Sequence, residues 1–172
     1  RAATIVKPSA RVTWLACGDS AVAGKGLSDA SKAWPHRLSA LLQGRYPSTT
    51  GAEAPVINAS GTLGAAGQLQ VVQLGRVDKG AYDYLTDSDM TFVAAANPQV
   101  VSHMVGAAEY AGQWTPQLLK SRMRGWFAKI DAAAGAVPPV HVVICQPARG
   151  DVTAATFNWA AYRRAMMDLC ES

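Results

Sequence analysis

The chain has 172 residues, 49% of them hydrophobic and 16% charged, with a formal net charge of +4. That length suits one domain with a real core, and the composition excludes a disordered chain. No apolar run approaches the ~20 residues of a membrane span, no repeat or low-complexity linker interrupts the sequence, and the mild charge falls short of a nucleic-acid footprint.

In chain order, Arg11 to Cys17 (RVTWLAC) is short, apolar and closed by Gly18, which predicts a buried strand. Pro35 opens a helix whose Trp34, Leu38, Leu41 and Leu42 fall on one face, ended by Gly44 and Pro47. Pro55 to Asn58 reads as a second strand leading into the glycine-rich stretch Gly61 to Gly67, and Gln68 to Leu74 as the start of another helix. A loop and then a short helix starting near Asp89 are expected between residues 76 and 97, with Asp87 and Asp89 as turn and cap residues. Gln99 to Val105 is a third strand. Thr115-Pro116 is an N-cap and first-turn pair for a helix with Leu119, Met123, Trp126, Phe127 and Ile130 on one face. Its basic residues, Lys120, Arg122, Arg124 and Lys129, read as a solvated face, since no aromatic ladder accompanies them. Val140 to Cys145 is a fourth strand, buried on both sides by its composition. A last helix from about Thr153 carries Trp159, Tyr162, Met166 and Leu169 on one stripe.

Strands alternating with helices predict βαβ units: a parallel sheet in order 2-1-3-4, covered on both faces. Reactive groups then gather on the loops beyond the carboxyl ends of the strands, here beginning at Gly18, Asn58, Gly106 and Pro147. On the first of these, Gly18 permits a tight turn that presents the Ser20 hydroxyl, with its own N–H near a helix start. The plain alternative is a strand-to-helix turn in which Ser20 is a cap.

Cys17, Cys145 and Cys170 read as buried thiols, and with the three histidines they show no metal-ligand spacing. Gly24-Lys25-Gly26 lacks the spacing and the Ser/Thr of a P-loop, and no cofactor motif follows a strand. His36 reads as a surface or helix-start residue, His103 as a core histidine inside a strand, and His141 as lying near a strand's amino end. The opening Arg1-Ala2-Ala3-Thr4 has neither Met nor an apolar stretch, so it reads as a processed end or as a piece of something longer.

Gly18-Asp19-Ser20 after the first strand, Asn58-Ala59-Ser60-Gly61-Thr62-Leu63-Gly64 after the second, and Asn97 to Gly106 with Ala107-Ala108-Glu109 together resemble the SGNH, or GDSL-type, hydrolase family. The resemblance covers most of the chain and implies a three-layer, flavodoxin-like α/β/α fold that cleaves esters with a Ser-His-Asp arrangement. It places the nucleophile at Ser20, preceded by Gly18 and Asp19. The oxyanion-hole glycine falls at Gly64, with Gly61 as alternate, and the lead-in to the Gly-x-Asn-Asp block ends at Gly106. Two departures stand out. Ala108 replaces the asparagine that supplies a second oxyanion donor, and the Asp-x-x-His that brings the base is absent from the 172 residues.

The expectation is therefore an SGNH-type serine esterase domain spanning residues 1–172 of a longer chain, with its base beyond Ser172. Its substrate would be a carboxylic ester of a lipid, a sugar or a cell-wall component. The rival is a non-catalytic module of the same fold, partnered by other chains or domains of a larger assembly; a flavodoxin-like nucleotide binder is a third reading, without a visible phosphate cradle. Neither cofactor, nucleic acid nor membrane span is expected. The compartment is open, with secretion or an extracellular or virion assembly among the options.

Overall fold

A computed structural model describes residues 12–45, 63, 69–146 and 156–171. Four strands, β1 (Val12–Gly18), β2 (Leu69–Gly75), β3 (Val100–Met104) and β4 (Val140–Val143), form one sheet in the order β2-β1-β3-β4. Every neighbouring pair is parallel, with Gly18 opposite both Gly75 and Met104 in register. The helices are α1 (Ser20–Ala23), α2 (Trp34–Arg45), α3 (Asp87–Ala96), α4 (Ala107–Ala111), α5 (Pro116–Ala133) and α6 (Trp159–Cys170). The α/β class and the parallel pairing of the strands at Val12, Val100 and Val140 hold, and the neighbour of β1 on its other side is Leu69–Gly75, where the expectation had the strand near Val56.

Because successive strand side chains point to opposite faces, the sheet feeds two apolar clusters. Leu15 and Cys17 of β1 join Val72, Leu74 and Val101 under Leu119, Met123 and Ile130 of α5 and Tyr162, Met166 and Leu169 of α6. On the other face Ala16, Val22 and Val71 meet Trp14, Trp34, Leu38 and Leu42, which anchors α1 and α2. Among the described residues the first cluster is the larger. Helices on both faces of the sheet make three layers.

Several expectations are corrected. Residues 68–74 were expected to begin a helix, but Leu69–Gly75 is the second strand of the sheet. Its glutamines disguise it: Gln70 is buried and donates to Thr13 Oγ1 at 2.8 Å, and Gln73 donates to the Val22 carbonyl. Gln70 is satisfied within the sheet and Gln73 by helix α1 packed on it, so neither marks a solvated helix face. The strand expected at Pro55 to Asn58 lies outside the described residues.

β4 is not buried on both sides. It pairs only with β3 among the described residues, and Val140 is 38% exposed. Only Cys17 is a buried thiol, while Cys145 and Cys170 are exposed. Burial pushes the Cys17 thiol well above its usual range. α6 starts later than expected, where the Asn158 side chain accepts from the Ala161 N–H.

The basic face of α5 behaves as a solvated face, with Lys120 paired to Asp168, Lys129 to Asp87, and Arg122 lying over the Tyr82 ring. Among the described residues no helix is long and apolar enough to cross a membrane.

Candidate active site

The carboxyl ends of β1, β2 and β3 converge on Ser20. Gly18 is required there by close approach, since a Cβ on it would lie 2.3 Å from the Met104 carbonyl oxygen and 2.6 Å from Val22 Cγ2. The next residue, Asp19, is buried and bonded all round. Its N–H donates to the Met104 carbonyl at 3.2 Å, while its carboxylate accepts from the Ala21 N–H at 2.9 Å and from Gln146 Nε2 at 2.6 Å. That clamp starts α1 immediately, so Ser20 stands at its first turn, partly exposed at the sheet's rim.

Ser20 Oγ meets a residue that the sequence reading did not single out. The Asp78 N–H donates to it at 2.8 Å, and the hydroxyl lies 3.4 Å from Asp78 Oδ1. Asp78 has φ 58, the left-handed conformation that Asp tolerates better than most residues. Lys25 Nζ pairs with the same carboxylate oxygen, and this bond, ahead of other causes, holds the Asp78 carboxyl below its usual range. Both charges are largely exposed. The signal was present: Arg76-Val77-Asp78 directly follows an apolar run. Once that run is read as a helix, however, its end no longer marks the reactive rim.

Gly106 lies just past β3, as expected, and takes φ 121 on the way into α4. Ala108 sits exposed on α4 and carries only a methyl group, so its side chain donates nothing. Glu109 turns inward. Its Oε1 accepts from the Ala81 N–H, and a Cβ on Gly80 would fall 2.1 Å from that oxygen. Its Oε2 is buried without a hydrogen-bond partner, and burial raises the carboxyl above its usual range. Glu109 thus braces the segment after β2 instead of facing Ser20. Gly64 and Gly61 lie outside the described residues.

All three histidines are described, and none is hydrogen-bonded to Ser20. His36, on α2, is partly buried and bonds Gln73; burial lowers its affinity for a proton. His103 is fully buried between Tyr84 and His141, with its proton affinity also lowered by burial and then by His141. His141, second residue of β4, turns to Asp131 on α5 at 3.0 Å. Among the described residues no group of three or more His, Cys, Asp or Glu is placed to hold a metal ion.

No family model and no curated protein sequence matches the chain. Solved structures do. AlinE4, an SGNH-hydrolase family esterase, superposes with a TM-score of 0.63 at 15% identity, over 94% of this chain and 71% of its own. TesA does so at 0.62 and 17%, over 92% and 73%. A Parabacteroides merdae protein described as a GDSL-like lipase does so at 0.59 and 15%, over 96% and 76%. At such identities the likeness is one of fold: the chain has the α/β fold of SGNH hydrolases.

Proposed function

We propose that Ser20 is the nucleophile of an SGNH-type site that hydrolyses a carboxylic ester of a lipid, a sugar or a cell-wall component. One contact carries the reading. At the carboxyl end of β1, on a fold shared with esterases, the Ser20 hydroxyl faces a backbone N–H at 2.8 Å, from a residue whose left-handed turn points it there. In the reaction Oγ attacks the ester carbonyl and its proton passes to a base. The tetrahedral intermediate expels the alcohol, which takes that proton, and water then releases the acid from the serine ester. The Ser20 N–H and a second backbone N–H would hold the oxyanion. We assign the second to Asp78 in preference to Gly64 or Gly61, because β2 ends at Gly75 and leads directly into residues 76–80.

The base is proposed to be a histidine from an Asp-x-x-His outside the 172 residues, since His36, His103 and His141 are engaged elsewhere. A positioned base is worth ~10²–10⁴ in rate and an oxyanion donor such as the one missing at Ala108 ~10²–10³. The 172-residue chain should therefore hydrolyse p-nitrophenyl acetate barely above buffer. A longer chain carrying the Asp-x-x-His should be clearly faster, and Ser20→Ala should remove the gain. Brisk, Ser20-dependent turnover by the 172 residues alone would overturn the assignment of the base.

A second reading, a non-catalytic binding or structural module, is favoured by a specific observation. The Asp78 carboxylate lies 3.4 Å from Ser20 Oγ with Lys25 upon it, so negative charge already sits where an oxyanion would form. A longer chain without Ser20-dependent turnover would select this reading.

A further inference from the structure

Asp19 starts the helix that carries Ser20, and its carboxylate has a different partner on each oxygen. Oδ1 caps α1, accepting from the Ala21 N–H at 2.9 Å. Oδ2 accepts from the side-chain amide of Gln146 at 2.6 Å. Gln146 stands three residues past the end of β4, and in the sheet β3 lies between β4 and β1. Its side chain therefore reaches across the end of β3 to the turn after β1. Both partners are shut away from water, Asp19 at 4% exposure and Gln146 at 9%.

Burying a glutamine is costly. Its flexible side chain gives up more rotamer freedom than a leucine would, and its amide must find partners to offset the lost water. What the bond returns is seen on Asp19. The last torsion of an aspartate is broad, so a carboxylate held by one oxygen alone can swing. Held by Gln146 on Oδ2 as well, it keeps Oδ1 on the Ala21 N–H. α1 then begins at Ser20, and the Ser20 N–H, at the first helical position, has no hydrogen-bond partner among the described residues. That is the open donor an oxyanion would need, beside the hydroxyl that would attack.

We propose that Gln146 is a positioning residue for Ser20: by fixing the Asp19 carboxylate it holds the turn on which the Ser20 N–H and hydroxyl stand. It acts only through Asp19. The inference rests on the reading of Ser20 as the nucleophile and adds to it a tie from the end of β4. A displacement of about 1 Å at a reacting group can cost about 10² in rate, so a tie to the residue next to Ser20 bears on turnover more than on binding.

The test has two arms. In the 172-residue chain, hydrogen exchange of the Ala21 amide, corrected for intrinsic rates, reads the cap, with the Met123 amide of α5 as reference for the rest of the fold. Gln146→Met keeps the length and removes the donor, so Ala21 protection should fall about tenfold with Met123 unchanged. Gln146→Glu sets two carboxylates against each other and should lose at least as much. Adding Asp19→Asn should recover most of that loss, since the new amide donates to the new carboxylate while its oxygen still caps α1, and should do nothing for Gln146→Met. In the longer chain carrying the Asp-x-x-His, Gln146→Met should lower kcat for p-nitrophenyl acetate about tenfold at unchanged KM, and kcat should follow the same pattern of rescue. Should either Gln146 variant not fold, the double variant Asp19→Asn/Gln146→Glu decides: it should fold and protect Ala21 nearly as the parent does. Unchanged Ala21 protection or kcat in Gln146→Met, or no recovery in the double variant, would overturn the positioning role and leave the nucleophile reading standing. A longer parent chain without Ser20-dependent turnover would overturn both.

Discussion

Replacing Gly18 by alanine tests the packing on which the whole rim depends. The added Cβ would stand 2.3 Å from the Met104 carbonyl oxygen, more than an ångström inside ordinary contact, and 2.6 Å from Val22 Cγ2. Neither neighbour can yield freely. The carbonyl belongs to β3 opposite Gly18 and accepts from the Asp19 N–H, and Val22 is a fully buried anchor of α1. Overpacking of this kind costs about 1–3 kcal/mol, and a weakened backbone hydrogen bond adds to it, so Gly18→Ala should lose about 2–4 kcal/mol. With a urea dependence of about 2 kcal/mol/M, the unfolding midpoint falls by about 1–2 M at unchanged slope. Gly125→Ala on α5 is the counter-experiment. Nothing lies within 4 Å of its added Cβ, and a helix-interior Gly→Ala should gain about 0.5–1 kcal/mol. If the two substitutions shift the midpoint alike, the close approach of β1, β3 and α1 is not what Gly18 serves.

Two buried groups should bend the pH profile of stability in opposite directions. His103 resists protonation in the fold, so its contribution is full above the usual imidazole range near 6.5 and is lost as the pH falls, when the unfolded chain takes up the proton more readily. Glu109 holds its proton in the fold, so its contribution is full below about 4.5 and is lost as the pH rises. Urea midpoints measured from pH 4 to 8 should show that Glu109→Gln removes the falling component and keeps the rising one; an unchanged profile would place the Glu109 carboxyl in water. Asp78→Asn breaks an exposed ion pair and keeps a residue that tolerates the left-handed turn, so the melting temperature should not move. A clear drop in a thermal melt would mean that this pair supports the fold.

Much of the architecture was legible because most elements carry their own period. The apolar stripe of α5 and its Thr115-Pro116 start, the β-rich run into Gly18, and the stretch Gln99 to Val105, whose strand spans Val100–Met104, all became the expected elements. What failed was β2. Leu69 to Leu74 places glutamine at every third position, which looks like a helix with a polar edge until Thr13 and the Val22 carbonyl, both far away in sequence, are seen to satisfy those amides. Read as a helix, that run offered no strand end to mark as a reactive loop, so Asp78 and Lys25 went unnoticed beside Ser20. β4 failed for a related reason, since apolar composition does not distinguish a central strand from an edge. The line from Asp131 to Tyr84 joins three elements and the turn before α3, and has no local signature at all.

The inequality of the two apolar clusters decides which half of the molecule gives way first. Local opening follows the amount of apolar contact that must be broken, and regions with little of it open well below the free energy of global unfolding. Among the described residues the face under α5 and α6 holds the larger cluster, whereas α1 and α2 pack on the smaller one around Val22 and Val71. Ser20 begins α1. Among the described residues, then, the one at the centre of the rim is carried on the face with the smaller apolar cluster, where fluctuations that leave the sheet intact can still reposition it.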